Sequence, residues 1–116
     1  MSMKGTTSWW LQRVSGILLL VFVGIHFVDV HFVIGVENLS FERVAQKWNL
    51  VGWRIFDACT LGLGMLHGCN GVISVLDDFK ALRPHRKKWL AGVRILGISV
   101  TLLGAWVLIT FQPEII

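Results

Sequence analysis

Residues Gly16–Val36 read GILLLVFVGIHFVDVHFVIGV, a run with only three ionisable side chains: His26, Asp29 and His31. A helix rising ~1.5 Å per residue needs ~20 apolar residues to cross ~30 Å of hydrocarbon, and this run is long enough. Two further stretches match it, Leu50–Leu76 (LVGWRIFDACTLGLGMLHGCNGVISVL) and Trp89–Phe111 (WLAGVRILGISVTLLGAWVLITF). Helices are forced on all three, because an open strand would leave backbone groups unpaired in lipid. The first run exceeds the apolar core of a signal peptide and no small-residue cleavage site follows it, so it reads as a retained span.

Composition agrees. Of 116 residues, 54% are hydrophobic and 16% charged, with mean hydropathy +0.67 and net charge +4. A soluble domain this small buries only ~60–65% of its unfolded surface and carries ~25% charge. The same figures exclude disorder, and two cysteines cannot make a disulfide scaffold. The expected fold is an all-α integral membrane protein with three transmembrane helices near residues 10–36, 50–78 and 89–111. A single membrane-anchor domain over residues 1–116 leaves no room for a soluble one. There is no internal repeat or low-complexity segment.

Basic residues set the expected orientation. Lys4 and Arg13 lie at the start of the first span, and the second connection, DDFKALRPHRKKW, holds Lys80, Arg83, Arg86, Lys87 and Lys88, with Arg94 just beyond. The first connection, ENLSFERVAQKWN, offsets Arg43 and Lys47 with Glu37 and Glu42. The positive-inside rule therefore puts the N-terminus and second connection in the cytoplasm, or in the matrix of a mitochondrion, and the QPEII tail opposite. Trp9, Trp10, Trp48, Trp53 and Trp89 fall near the interfaces, as an aromatic belt does. The basic connection serves topology and headgroup contact, or docks a peripheral partner.

Polar groups inside the membrane are costly and mark function. On a helix, the face of His67 collects Thr60, Gly64, Asn70, Gly71 and Ser74, with Gly68 beside it. An imidazole on a surface cleared by glycines suits haem, which needs a nitrogen ligand and space for the macrocycle. Helix packing through Gly64-x-x-x-Gly68 is the competing reading. His26 and His31 are five residues apart and point in different directions, so they form no zinc pair. Asp29, three residues from His26, is placed to accept its ring N–H. His31 reads as interfacial and His85 as solvated. Cys59 and Cys69 read as small packing residues.

Depth separates the two intramembrane histidines. Helix centres near Val23 and Leu63 put His26 ~4 Å to the outer side and His67 ~6 Å to the inner side. A gap of ~10 Å does not suit two ligands of one haem. It suits two haems at two depths, which three helices cannot enclose without a second membrane subunit.

The chain resembles the small membrane-anchor subunits of succinate dehydrogenase (succinate:quinone oxidoreductase, complex II) of cytochrome b type. Of the two anchors in that family, it is closer to the D-like one than to the C-like one. SWWLQRVSG, Ser8–Gly16, resembles the family's W-x-x-Q-R-V-[ST]-[AG] at the start of its first helix. HGCNGVISVLDDF, His67–Phe79, resembles H-x-x-x-G-x-x-x-V-L-x-D-Y on the second. The resemblance implies that His67 is an axial ligand of haem b and that Asp78 lies in the quinone vicinity. Phe79 stands where many members have a tyrosine that hydrogen-bonds the quinone, a bond phenylalanine cannot donate. Arg13 and Trp10 match positions near the inner surface, where Arg13 would meet quinone or a haem propionate, or else snorkel toward headgroups. His26 has no counterpart in single-haem members but resembles the first-helix ligand of two-haem members.

The implied role is electron transfer. The chain has no glycine-rich phosphate loop, cysteine cluster or flavin motif, so succinate oxidation belongs to partners. The resemblance implies a flavoprotein with FAD, an iron–sulfur subunit and a second membrane anchor of the C-like kind. One or two haems would be shared with that anchor, and quinone would be the substrate. The expected setting is the cell's inner (cytoplasmic) membrane, before the mitochondrial one, with no nucleic acid involved. The alternatives are a haem-free anchor of a fumarate reductase-type complex, or an unrelated small membrane transporter or assembly protein.

Overall fold

The computed structural model describes residues 5–112, so Lys4 and residues 113–116 of the tail lie outside the described residues. Helix α1 (Gly5–Val28) continues as a π-helical turn over Asp29–Ile34, and a 3₁₀ turn, Val36–Asn38, follows. Then come the short helix α2 (Phe41–Trp48), α3 (Val51–Asp77), a second 3₁₀ turn (Lys80–His85) and α4 (Arg86–Thr110). Three segments, Gly5–Ile34, Val51–Asp77 and Lys80–Thr110, are long and apolar enough to cross a membrane. Nearly all the described residues are helical and none is in a strand, as the hydropathy pattern requires.

Helix α2 lies in what reads from sequence as a plain connection. Its start has a physical cause, since the Ser40 hydroxyl accepts the Arg43 backbone N–H at 3.3 Å, a side-chain N-cap. Phe41, Val44, Ala45 and Trp48 recur at helical spacing, and Ala45 is buried. Helix α4 starts at Arg86, ahead of Trp89, because arginine and lysine are good helix formers. Arg86 also forks onto Asp77 at the end of α3, with Nε–Oδ1 2.7 Å and Nη2–Oδ2 3.1 Å. The Trp89 indole donates to the Leu82 carbonyl at 3.0 Å, closing the turn.

The arrangement is an elongated row of helices, 56 × 26 × 22 Å, with α3 in the middle. Helix α3 packs against both α1 and α4, while the backbones of α1 and α4 share no close approach among the described residues. Chain direction puts the start of α1, the end of α3 and the basic turn at one end, and α2 at the other. The α3–α4 seam closes on small residues. A Cβ at Gly97 would sit 2.6 Å from Cys69 Sγ, so only glycine admits this approach. Cys69 is thus a packing residue, as expected, whereas Cys59 is exposed. On the α1–α3 seam, Phe22 stacks on Phe56 with centroids 4.9 Å apart. Ser15, Ala45, Asn70 and Gly97 alone are buried among the described residues, and two of those four are polar. Most large apolar side chains face outward, as lipid or a partner demands.

Candidate functional site

The polar groups of the α1–α3 seam converge on His67. The Ser15 hydroxyl lies 3.1 Å from His67 Nδ1 and donates to the Gln12 carbonyl at 3.2 Å. The Gln12 amide nitrogen stands 3.4 Å from His67 Nε2. Asn70, one turn along α3, donates to Gln12 Oε1 at 2.8 Å and to the Ser8 carbonyl at 3.2 Å, and accepts from the Ser8 hydroxyl at 2.8 Å. Ser15 is 2% exposed and Asn70 7%, yet every buried side-chain polar atom among the described residues is paired. Burial of polar groups in lipid is tolerable only on that condition. Gly16 permits the contact, since a Cβ there would stand 3.1 Å from the imidazole Cε1.

The glycines flanking His67 do not serve helix packing within this chain. A Cβ at Gly64 or Gly68 would meet nothing within 4 Å. Beside His67 runs an open groove of about 360 Å³, lined by Gln12, Gly68, Gly71, Val72, Val75 and Leu76. Neither α1 nor α4 approaches the Gly64–Gly68 pair closely, so the helix-packing reading stands only for a helix of another chain. Gly64 and Gly68 line a cavity of about 290 Å³ between α3 and α4, with Val93 and Gly97 across it, and Gly68 also borders the His67 groove.

The second histidine belongs to the other end. His26 lines a cavity of about 290 Å³ with Val30, Val44, Lys47, Trp48 and Asp57. Asp29 does not support His26 as its spacing suggested. It pairs with Lys47, which folds back from α2 and stacks over Trp53 at 3.4 Å. A three-residue spacing aligns Asp29 with His26, but the ammonium in contact forms the charge-assisted bond to the carboxylate instead. Asp57 is the carboxylate that shares the His26 cavity. His26 lies eleven residues beyond Ser15, the neighbour of His67, so the two imidazoles differ by ~16 Å along α1. That exceeds the ~10 Å expected from span centres because helix register, not the midpoint of each apolar run, sets the level. His31 is exposed, stacks on Phe27 and pairs through Nδ1 with the Phe27 carbonyl at 3.1 Å.

The remaining candidates stand at the basic end. The Arg13 guanidinium lies over the Trp9 ring, 4.2 Å from its centroid, and Trp9 meets Trp10 edge-on at 5.1 Å. Arg13, Trp10, Asp78 and Phe79 are placed apart from the seam, and no hydrogen bond or ion pair among the described residues joins them to the His67 cluster. Sequence reading missed Ser15, Gln12, Arg54 and Asp57. Ser15 and Gln12 stood in the SWWLQRVSG motif without a role, and Arg54 and Asp57 were charges inside an apolar run. Arg54 is structural. It donates to the carbonyls of Trp48 (2.7 Å), Leu108 (3.1 Å) and Phe111 (2.7 Å), satisfying carbonyls at the C-terminal ends of α2 and α4.

These features define a helical membrane protein whose polar chemistry sits on a helix seam and on the open groove beside it. The family model described as succinate dehydrogenase/fumarate reductase transmembrane subunit matches residues 2–109, and the chain belongs to that family. It is thus a membrane subunit of an oxidoreductase complex. A comparison with curated proteins found no match.

Proposed function

We propose that the chain is the membrane anchor of a succinate dehydrogenase, holding haem b through His67 and helping to form a quinone site. The observation that carries this reading is the placement of His67, with one ring nitrogen held by Ser15 and the other edge beside an open glycine-faced groove. The donor set fits a haem. Iron needs a nitrogen with a free lone pair, and among the described residues the hydrogen-bonding partner of Nε2 is an amide at a long 3.4 Å, on a side chain that can swing away. Haem, when bound, supplies one-electron redox chemistry close to the quinone site. The groove is open along one side, which favours a second membrane anchor, of the C-like kind, as its other wall.

Arg13, Trp10 and Asp78 are proposed to face quinone at the basic end, with Arg13 polarising a carbonyl or meeting a propionate. That end, rich in Lys80, Arg83, Arg86, Lys87 and Lys88, is proposed to face the cytoplasm and to dock the iron–sulfur and flavoprotein subunits. His26 is proposed as ligand of a second haem. In support, it is exposed within a span, where an imidazole facing lipid is costly, and it lies at a level separate from His67.

A second reading is a haem-free anchor of a fumarate reductase-type complex. The Gln12–His67 contact favours it, because the amide completes the polar cluster without any cofactor. A reduced-minus-oxidised spectrum of the purified complex divides the two. We expect a b-type α-band that His67→Leu removes, and two components in a redox titration if His26 also ligates. A complex without that band, or a His67→Leu complex that keeps it, rejects the haem reading.

A further inference from the structure

The hydrogen bonds around His67 have a direction, and the direction selects one tautomer. The Ser15 hydroxyl proton is taken by the Gln12 backbone carbonyl, so its oxygen is left to accept. Asn70 is oriented from both sides by Ser8: its oxygen accepts the hydroxyl and its nitrogen donates to the carbonyl. That nitrogen also donates to Gln12 Oε1, which fixes the Gln12 side chain with its oxygen toward Asn70 and its NH₂ toward His67. An NH₂ group facing a ring nitrogen requires a lone pair there. An imidazole protonated on Nδ1 and bare on Nε2 satisfies every contact as it stands; the opposite tautomer sets N–H against N–H at Nε2 and turns the Ser15 hydroxyl away from the Gln12 carbonyl toward Nδ1.

We infer that Ser15 is a positioning residue: by accepting the Nδ1 proton of His67 it holds the ring in its seam and keeps the Nε2 lone pair presented to the groove. This rests on the haem reading for its consequence, but the tautomer itself stands without it. The partners lie 52 residues apart in sequence, so the contact exists only through the α1–α3 register. At 2% exposure, no solvent replaces the acceptor if the hydroxyl is removed. An Nδ1–H that donates to an oxygen makes the imidazole a stronger electron donor to a metal on Nε2, which favours the oxidised metal.

The test uses the whole purified complex carrying Ser15→Ala or the near-isosteric Ser15→Cys, whose sulfur is a poor acceptor. Both are expected to raise the haem midpoint potential and to shift the low-spin EPR signal that reports the imidazole plane, the alanine form more than the cysteine form. If Ser15→Ala loses haem, Ser15→Cys decides. A haem-loaded Ser15→Cys complex with wild-type potential and EPR signal overturns the inference, and a raised potential supports it. Independently, ¹⁵N chemical shifts of histidine-labelled complex, depleted of any haem, should show His67 protonated on Nδ1 in the wild type and a tautomer mixture in Ser15→Ala. Nε2 protonation in the wild type overturns the inference. A wild-type complex with no b-type band but Nδ1-protonated His67 overturns the haem reading and leaves the tautomer assignment standing.

Discussion

Single atoms decide the tightest places in this protein. At the α3–α4 seam, the hydrogen of Gly97 is all that the Cys69 sulfur allows, because a methyl would arrive at 2.6 Å. Gly97→Ala should destabilise the complex by ~1–3 kcal/mol through overpacking. Cys69→Ala in the same chain should recover most of that loss. Thermal denaturation of the four members of the cycle checks this, with a coupling of ~1 kcal/mol expected between the two positions. At His67 the same scale explains what the sequence could and could not reveal. The imidazole was legible because glycines surround it at helical spacing, a pattern held within one helix. Ser15 and Gln12 stood in the SWWLQRVSG motif but carried no role there, because their significance comes from a second helix whose register against the first is written in neither apolar pattern.

At the scale of elements, the long helices were legible from length and hydropathy, since lipid permits no other backbone. The α2 helix was not, although its Ser40 cap and the spacing of Phe41, Val44, Ala45 and Trp48 were there to read. Its consequence is the misassignment of Asp29. Helix α2 carries Lys47 back to the end of α1, where the ammonium takes the carboxylate that spacing alone had given to His26. The pair is largely shielded, with side-chain exposures of 21% and 14%. Lys47→Met should therefore cost ~2–4 kcal/mol, because it strands Asp29, and Lys47→Met with Asp29→Leu should cost less than the single change. The midpoint of thermal unfolding measures both. An equal loss in the double variant would show that the ammonium acts through its stacking on Trp53 instead.

For the whole molecule, helix direction puts the start of α1 and the basic turn together, and that is the end we propose faces the cytoplasm. A single cysteine placed at Lys88, in a chain with Cys59 and Cys69 replaced by alanine, should react with an impermeant maleimide only from the cytoplasmic side. One placed at Glu42 should react only from the opposite side. Reversed labelling would invert the proposed docking face and separate Arg13, Trp10 and Asp78 from any cytoplasmic partner.

Helix α3 stands between two neighbours that do not meet, and that has a bearing on how the protein is made. A closed bundle hides its polar residues as soon as it folds. This row does not: His26 is exposed and Asp57 and Arg94 are half-buried within the spans, all on the chain's own surface until something covers them. Before assembly, each such group meets acyl chains and draws water or headgroups into the bilayer around it. The lone subunit is thus a less comfortable guest in the membrane than the assembled one. Its accumulation in the cell is therefore expected to follow the supply of whatever closes the row, with surplus copies lost to proteolysis.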